Sequence, residues 1–251
     1  MKALVTGATA GIGKATAIKL ASLGFDLIIT GRREERLKEL GDKLVEDYKI
    51  EVLTLKFDIR KKDEVENAWN SLPKEWQEID LLVNNAGLAA GFDYFHQASV
   101  EDWDTMIDTN IKGLLYISRL VTPVMVERKK GQIINISSIA GKEVYQRGNV
   151  YCATKHAVEA ITKAMRADLL PYNIKVSSVS PGMVETEFSM VRFKGDKQKA
   201  DNVYKGLEPL TAEDIADIIE FIVTRPPHVN INDILVMPTA QANSYYVHRE
   251  E

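Results

Sequence analysis

The chain reads as a single α/β domain, a parallel sheet wound with helices on both faces. Three observations predict it. Short apolar runs alternate with longer charged, amphipathic stretches from the first residues onward, which is the βαβ pattern. The apolar runs show little polar alternation, as strands buried on both faces do. No Pro/Gly/Ser-rich linker or charge block divides the 251 residues, a length that one α/β domain fills.

In chain order, Lys2–Thr6 is a short apolar strand, and residues 7–13 (GATAGIG) form a glycine-rich turn. Lys14–Leu23 is helical, with Gly24 as its stop. Phe25–Thr30 is a second strand. Arg33–Tyr48 is an amphipathic helix with Leu37, Leu40, Leu44 and Val45 on one face. Glu51–Phe57 is a third strand ended by Asp58, Lys61–Ser71 a helix, and Ile79–Val83 a fourth strand running into Asn84-Asn85-Ala86-Gly87. Val100–Arg128 holds two helices meeting near Lys112-Gly113. Gln132–Ile136 is the fifth strand, Asn149–Leu170 a long helix closed by Pro171, and Ile174–Val179 the sixth strand. Thr211–Val223 is a helix capped by Thr211 with Asp214 three residues on, and Ile234–Met237 is the seventh strand.

Composition removes several classes of function. A net charge of −4 leaves no basic footprint for nucleic acid or an anionic membrane. The single Cys152 excludes an internal disulfide, and His96, His156, His228 and His248 lie too far apart to suggest a metal site. No apolar run is long enough to span a bilayer, and the N-terminus enters a strand at once, so a cytoplasmic protein is expected.

The distinctive segments all follow strands. In such sheets ligands bind beyond the carboxyl ends of the strands, near the point where strand order reverses. The turn Gly7–Gly13 can bring backbone N–H groups and a helix N-terminus to a pyrophosphate, although its spacing is G-x-x-x-G-x-G. Gly31-Arg32-Arg33 ends the second strand, where an acid would suit a ribose 2′-hydroxyl and arginine suits a 2′-phosphate. Asp58 can accept from an adenine amino group or serve as a turn carboxylate, and the Asn84–Gly87 turn can pass close to a cofactor while its amides tie neighbouring strands.

Ser138, Tyr151 and Lys155 carry the chemistry. Tyr151 and Lys155 are four apart, so on a helix they share a face, and Ser138 lies at the end of a strand. A phenol titrates near 10, and a neighbouring ammonium favours its ionised form. A tuned tyrosine can then exchange a proton with a carbonyl or alcohol oxygen that the serine hydroxyl holds. A serine hydrolase is set aside, because Ser137-Ser138-Ile139-Ala140-Gly141 is not the G-x-S-x-G elbow.

Together, residues 6–13 (TGATAGIG), 84–87 (NNAG), Asn110, Ser138, Tyr151-x-x-x-Lys155 and 181–186 (PGMVET) resemble the short-chain dehydrogenase/reductase family over almost the whole chain. The resemblance implies a Rossmann-like fold with seven parallel strands, usually a homotetramer, and hydride transfer between a nicotinamide and a carbonyl or alcohol. It implies that Tyr151 is the acid–base catalyst, that Lys155 lowers its pKa and holds the nicotinamide ribose, and that Ser138 orients the substrate oxygen. Asn110 resembles the residue that positions a water in a proton relay. The cofactor would lie along Gly7, Thr9, Ala10, Gly11, Ile12 and Gly13, then Asp58 and Ile59, then Asn85, Ala86 and Gly87. Pro181, Gly182, Val184 and Thr186 would line its nicotinamide side, and Arg32 and Arg33 match NADP-preferring members.

A narrower resemblance, in the stretches GRREERLKEL, ASVEDWDTMIDTNIKGLLYISR, FSMVRFKGD, PPHVNIND and VHRE, is to the NADP-dependent 3-hydroxy acid dehydrogenases. It implies short 3-hydroxy acids as substrates: serine, threonine-type acids and, in reverse, malonic semialdehyde. A mobile flap over residues 185–210 is expected to cover the nicotinamide and to present Arg192 to a carboxylate, with Arg147 as the competing candidate. The tail over residues 240–251 is expected to dock on a neighbouring subunit. The alternatives are a carbonyl reductase for uncharged substrates and a catalytically silent NADPH-binding sensor.

Overall fold

The computed structural model describes residues 1–250. Its strands are β1 (Lys2–Thr6), β2 (Asp26–Gly31), β3 (Val52–Lys56), β4 (Leu81–Asn84), β5 (Gly131–Ile136), β6 (Ile174–Pro181) and β7 (Asp233–Val236). All pair in parallel in one seven-stranded sheet of order β3-β2-β1-β4-β5-β6-β7. The helices are α1 (Gly11–Ser22), α2 (Glu34–Tyr48), α3 (Lys62–Asn70), α4 (Lys74–Gln77), α5 (Val100–Ile107), α6 (Leu114–Arg128), α7 (Asn149–Leu169), α8 (Phe188–Arg192), α9 (Lys197–Asn202) and α10 (Ala212–Val223). This is the Rossmann-like fold, with seven parallel strands in one domain.

Side chains alternate across the sheet, and each face finds its own helices. Val5, Leu27, Ile29 and Val83 pack with Leu20 of α1, Leu37 and Leu44 of α2, and Ile215 and Ile219 of α10. Leu4, Ile28, Leu82 and Ile133 pack on the other face with Val65 and Trp69 of α3, Ile117 and Val121 of α6, and Leu169 of α7. Burying each such Leu or Ile contributes about 1.5–3 kcal/mol, so the two-sided core fixes strand register. Val45 departs from expectation. It lies at the margin of the α2 stripe and is 44% exposed, while Leu37, Leu40 and Leu44 are buried.

Strand order reverses between β1 and β4, and there the carboxyl ends diverge to leave a crevice. Helix α1 begins at Gly11, three residues earlier than expected, so its first turn belongs to the glycine-rich segment. The helix pair in residues 100–128 is one continuous rod with a π turn at Asp108–Gly113 rather than a break. Gly113, the last residue of that turn, packs so closely on Ile59 that a β-carbon there would sit 2.9 Å from Ile59 Cγ2. The capping box of α10 is present in full, Thr211 accepting from the Asp214 N–H and Asp214 from the Thr211 N–H.

Candidate active site

The carboxyl ends of the strands open onto a cavity of about 830 Å³. At its nucleotide end, Gly7 adopts a φ of 69°, and a β-carbon there would lie 3.0 Å from Ala86 Cα. Only glycine lets the β1 turn run this close to the loop after β4. Gly13 serves the same packing from beneath. Its added β-carbon would collide with the Gly7 carbonyl and the Asn85 amide, and Gly13, contrary to expectation, does not line the cavity. Gly7, Thr9, Ala10, Gly11 and Ile12 do. Helix α1 has no side-chain cap and no acid in its first turn. Its leading N–H groups are therefore left for an anion. A glycine cradle beneath an uncapped helix start fits the pyrophosphate of a dinucleotide.

The loop after β4 is pinned as its asparagines suggested. Asn84 Nδ2 donates to Asn135 Oδ1 on β5 at 2.8 Å, and Asn85 Nδ2 donates to the Thr6 carbonyl on β1 at 2.8 Å. Thr6 Oγ1 accepts the N–H groups of Asn85 and Ala86, each at 3.0 Å. Asn85, Ala86 and Gly87 thereby form the cavity wall, opposite Asp58 and Ile59. Asp58 is committed: Arg60 Nε donates to its Oδ1 at 3.0 Å, and Arg60 holds its carboxyl below the usual range.

The two arginines expected to share one role are separated. Arg32 is exposed on the cavity lip and has no hydrogen-bond or ion-pair partner among the described residues. Arg33 is braced. Its Nη2 donates to Thr9 Oγ1 at 2.9 Å and its Nη1 to Glu187 Oε2 at 2.7 Å, while Arg36 Nη1 donates to Glu187 Oε1 at 2.7 Å.

At the other end, Tyr151 and Lys155 on α7 face Ser138 at the end of β5. Lys155 is 6% exposed, and its Nζ donates to the Ile136 carbonyl at 3.0 Å. Burial pulls its pKa down to about 8, against the opposing charge of Glu159. Tyr151 is 7% exposed. Burial pushes its phenol well above the ordinary range, and Tyr145 adds to that, while Ser138 and Arg192 act in the opposite direction. Lys155 is not among the groups that shift the phenol most. Its Nζ lies 6.0 Å from the Tyr151 ring centroid and is bonded elsewhere, so burial dominates.

Asn110 sits in the π turn and clamps the loop after β4. Its Oδ1 accepts from the Leu88 N–H at 2.8 Å, and its Nδ2 donates to the Leu88 carbonyl at 2.8 Å and to Thr154 Oγ1 at 3.0 Å. Both amide hydrogens are thus used within the chain, and Asn110 is not part of the cavity lining. Pro181, Gly182, Val184 and Thr186 line the wall beside Ser138 as expected.

Sequence reasoning singled out two arginines for the substrate, and the fold divides them. Arg192 lines the cavity: its guanidinium lies 4.6 Å from the Phe92 ring and 5.6 Å from the rings of Tyr145 and Tyr151. Nη1 donates to the Tyr145 hydroxyl at 3.1 Å, and Nε is buried without a partner. Arg147 is a correction. It takes a left-handed φ of 64°, stacks on Tyr94 at 4.4 Å and does not line this cavity.

The flap contains two short helices, α8 and α9, and is tied down at several points. Besides the Glu187 clasp, the Arg192 carbonyl accepts from the Gly91 N–H at 3.0 Å, and Lys194 pairs with Asp102 at 2.8 Å. The tail packs on its own chain. Arg249 Nη2 donates to the Val203 carbonyl at 2.9 Å, and the Glu250 N–H donates to the Gly206 carbonyl at 2.7 Å. Tyr245, Val247 and Arg249 line the cavity. Phe188 lines the cavity from the expected flap, whereas Tyr145 and Phe92 were missed. Tyr145 alone carried a signal, lying between Ser138 and Tyr151 in sequence.

A doubly wound sheet whose switch point opens onto a phosphate-sized cradle is the architecture of dinucleotide-binding proteins, and this chain is built as one. It belongs to the short chain dehydrogenase family, which it matches over residues 1–197. It is 46% identical over 249 residues to the NADP-dependent 3-hydroxy acid dehydrogenase of Schizosaccharomyces pombe, covering 99% of this chain and 96% of that one. It is 48% identical over 252 residues to the enzyme of the same name from Escherichia coli (strain K12), with both chains covered in full. Among solved structures, the closed form of a serine dehydrogenase complexed with NADP⁺ superposes with a TM-score of 0.92 at 48% identity, covering 100% of both chains.

Proposed function

We propose that the protein is an NADP(H)-dependent oxidoreductase that interconverts a short 3-hydroxy acid and its 3-oxo form. The relatives' names support the cofactor and the class of substrate. The observation that carries the substrate reading is Arg192, a guanidinium with no acidic partner among the described residues, 5.6 Å from the ring of the candidate acid–base tyrosine. An arginine fork matches a carboxylate, and the surrounding rings exclude water from the contact.

Arg32 takes the 2′-phosphate, the N-terminus of α1 takes the pyrophosphate, and the Asn85–Gly87 wall supports the cofactor beyond it. When bound, the nicotinamide supplies or accepts the hydride. Ser138 Oγ holds the substrate oxygen, and Tyr151 Oη transfers a proton to it in reduction. Burial keeps that phenol protonated at neutral pH, the state an acid must start in. Lys155 Nζ holds the nicotinamide ribose, and Asn110 keeps the loop after β4 in place. The same reading includes a cytoplasmic homotetramer, supported by Leu115 of α6 and Leu170 after α7, which remain 42% and 71% exposed. No helix among the described residues is long and apolar enough to cross a membrane.

The test is a paired assay by NADPH absorbance, using a 3-hydroxy acid and its uncharged amide. Wild type should prefer the acid. Arg192→Leu should lower kcat/KM for the acid by roughly 10–150-fold, the equivalent of about 1.5–3 kcal/mol for a charge-assisted hydrogen bond, and spare the amide. A wild type that prefers the amide would replace this reading with the carbonyl reductase, and absence of any turnover with the sensor.

A further inference from the structure

One buried carboxylate has no part in the chemistry above. Glu159 lies one helical turn beyond Lys155 on α7 and is 5% exposed. Its Oε1 accepts from Ser178 Oγ at 2.7 Å and Ser180 Oγ at 2.8 Å, both on β6, and its Oε2 accepts from Lys142 Nζ at 2.7 Å. Burial pushes this carboxyl up, but Lys142 and the serine hydroxyls outweigh burial and hold it below the ordinary range. An ionised carboxylate is therefore kept in the interior by donors from β6 and from the loop after β5.

Lys142 does not cancel its charge. Lys142 also pairs with Asp233 on β7, so two carboxylates share a single ammonium and the group carries one net negative charge. The ionisable groups on the other elements around this part of α7 are engaged elsewhere. Asp102 of α5 pairs with Lys194, and Asp108 of the π turn pairs with Lys112. Arg192 and Tyr145 on the cavity wall bond to each other, and His156 Nδ1 contacts the Cys152 carbonyl. Tyr151, on α7 itself, stays protonated. Among all of these, Glu159 is the one whose charge bears on Lys155.

We propose that Glu159 is a positioning residue for the reaction: its carboxylate keeps the buried Lys155 side chain in the ammonium form and ties α7 to β6, the strand beside the one that leads to Ser138. The proposal rests on the reading of Lys155 given above. A lysine desolvated this completely loses its proton readily, and a neutral amine would hold a ribose hydroxyl less firmly. A fixed negative charge one turn away offsets that loss without entering the cavity.

The test titrates Lys155 directly in the cofactor-free protein. The ¹³Cε resonance of labelled lysine is followed against pH by NMR and assigned by its absence in Lys155→Met. Glu159→Gln preserves the acceptor for the two serines and removes only the charge. The wild-type midpoint should fall near 8, and the variant's should move down by about one unit. The basic limb of kcat/KM for reduction should move with it. An unmoved midpoint would overturn the proposal, even if activity fell, because the residue would then serve packing alone. If Glu159→Gln does not fold, Asp233→Asn, at a site 38% exposed, removes one charge from the same group, and there too an unmoved midpoint overturns the proposal. Full turnover in Lys155→Met would instead strike the role given to Lys155, an outcome the titration does not depend on.

Discussion

Replacing Arg32 by alanine isolates the 2′-phosphate as a binding element. The structure makes this a clean perturbation, because Arg32 supports nothing else among the described residues, whereas its neighbour Arg33 is bonded to Thr9 and Glu187. A hydrogen bond from a guanidinium to an anion contributes about 1.5–3 kcal/mol. Arg32 is exposed, so the lower figure applies, which is roughly tenfold in Kd. Calorimetric titration should show NADPH binding weakened by about that factor and NADH binding unchanged. The NADPH difference should shrink as salt rises, since an exposed contact is screened within about 8–10 Å at physiological ionic strength. Arg33→Ala provides the contrast. It opens the clasp to Glu187 and should weaken both cofactors together. Equal losses of NADPH and NADH in Arg32→Ala would refute the assignment, as would no loss at all.

Two further outcomes are expected. Tyr151→Phe keeps the ring against Phe188 at a centroid distance of 5.7 Å and removes the transferable proton, so turnover should fall by roughly 10²–10⁴-fold while NADPH titrations stay close to wild type. Light scattering at micromolar concentration should return a mass near four times 28.1 kDa, and a monomer would refute the assembly.

The sheet was legible because its strands are apolar on both faces, and residues such as Leu4 and Val5 leave no doubt that both sides are covered. The capping box at Thr211 and Asp214 was legible for the same local reason. What escaped was either short or long-range. Helices α4, α8 and α9 have four to six residues, too few to show a period. The π turn at Asn110 has no signature in its residues, and only the fold shows that its Gly113 packs closely against Ile59. The separate fates of Arg32 and Arg33 were invisible in sequence, because Glu187 lies 154 residues from Arg33. Arg147 and Arg192 looked alike until Phe92 was placed between them, with one guanidinium on the cavity side and the other stacked on Tyr94. The burial of the phenol was invisible, because a motif displays the lysine but not what packs around the tyrosine.

The tail has a consequence for how such a protein can diversify. The region shared with the family ends at residue 197, yet Tyr204, Gln241, Tyr245, Val247 and Arg249 all contribute to the cavity wall. None of these lies in a sheet strand. The frame that folds the molecule and grips the nucleotide is thus largely separate from the segments that close the substrate end. Changes at these five positions can remodel that wall while α10 and β7, which lie between them in sequence, keep the sheet core intact.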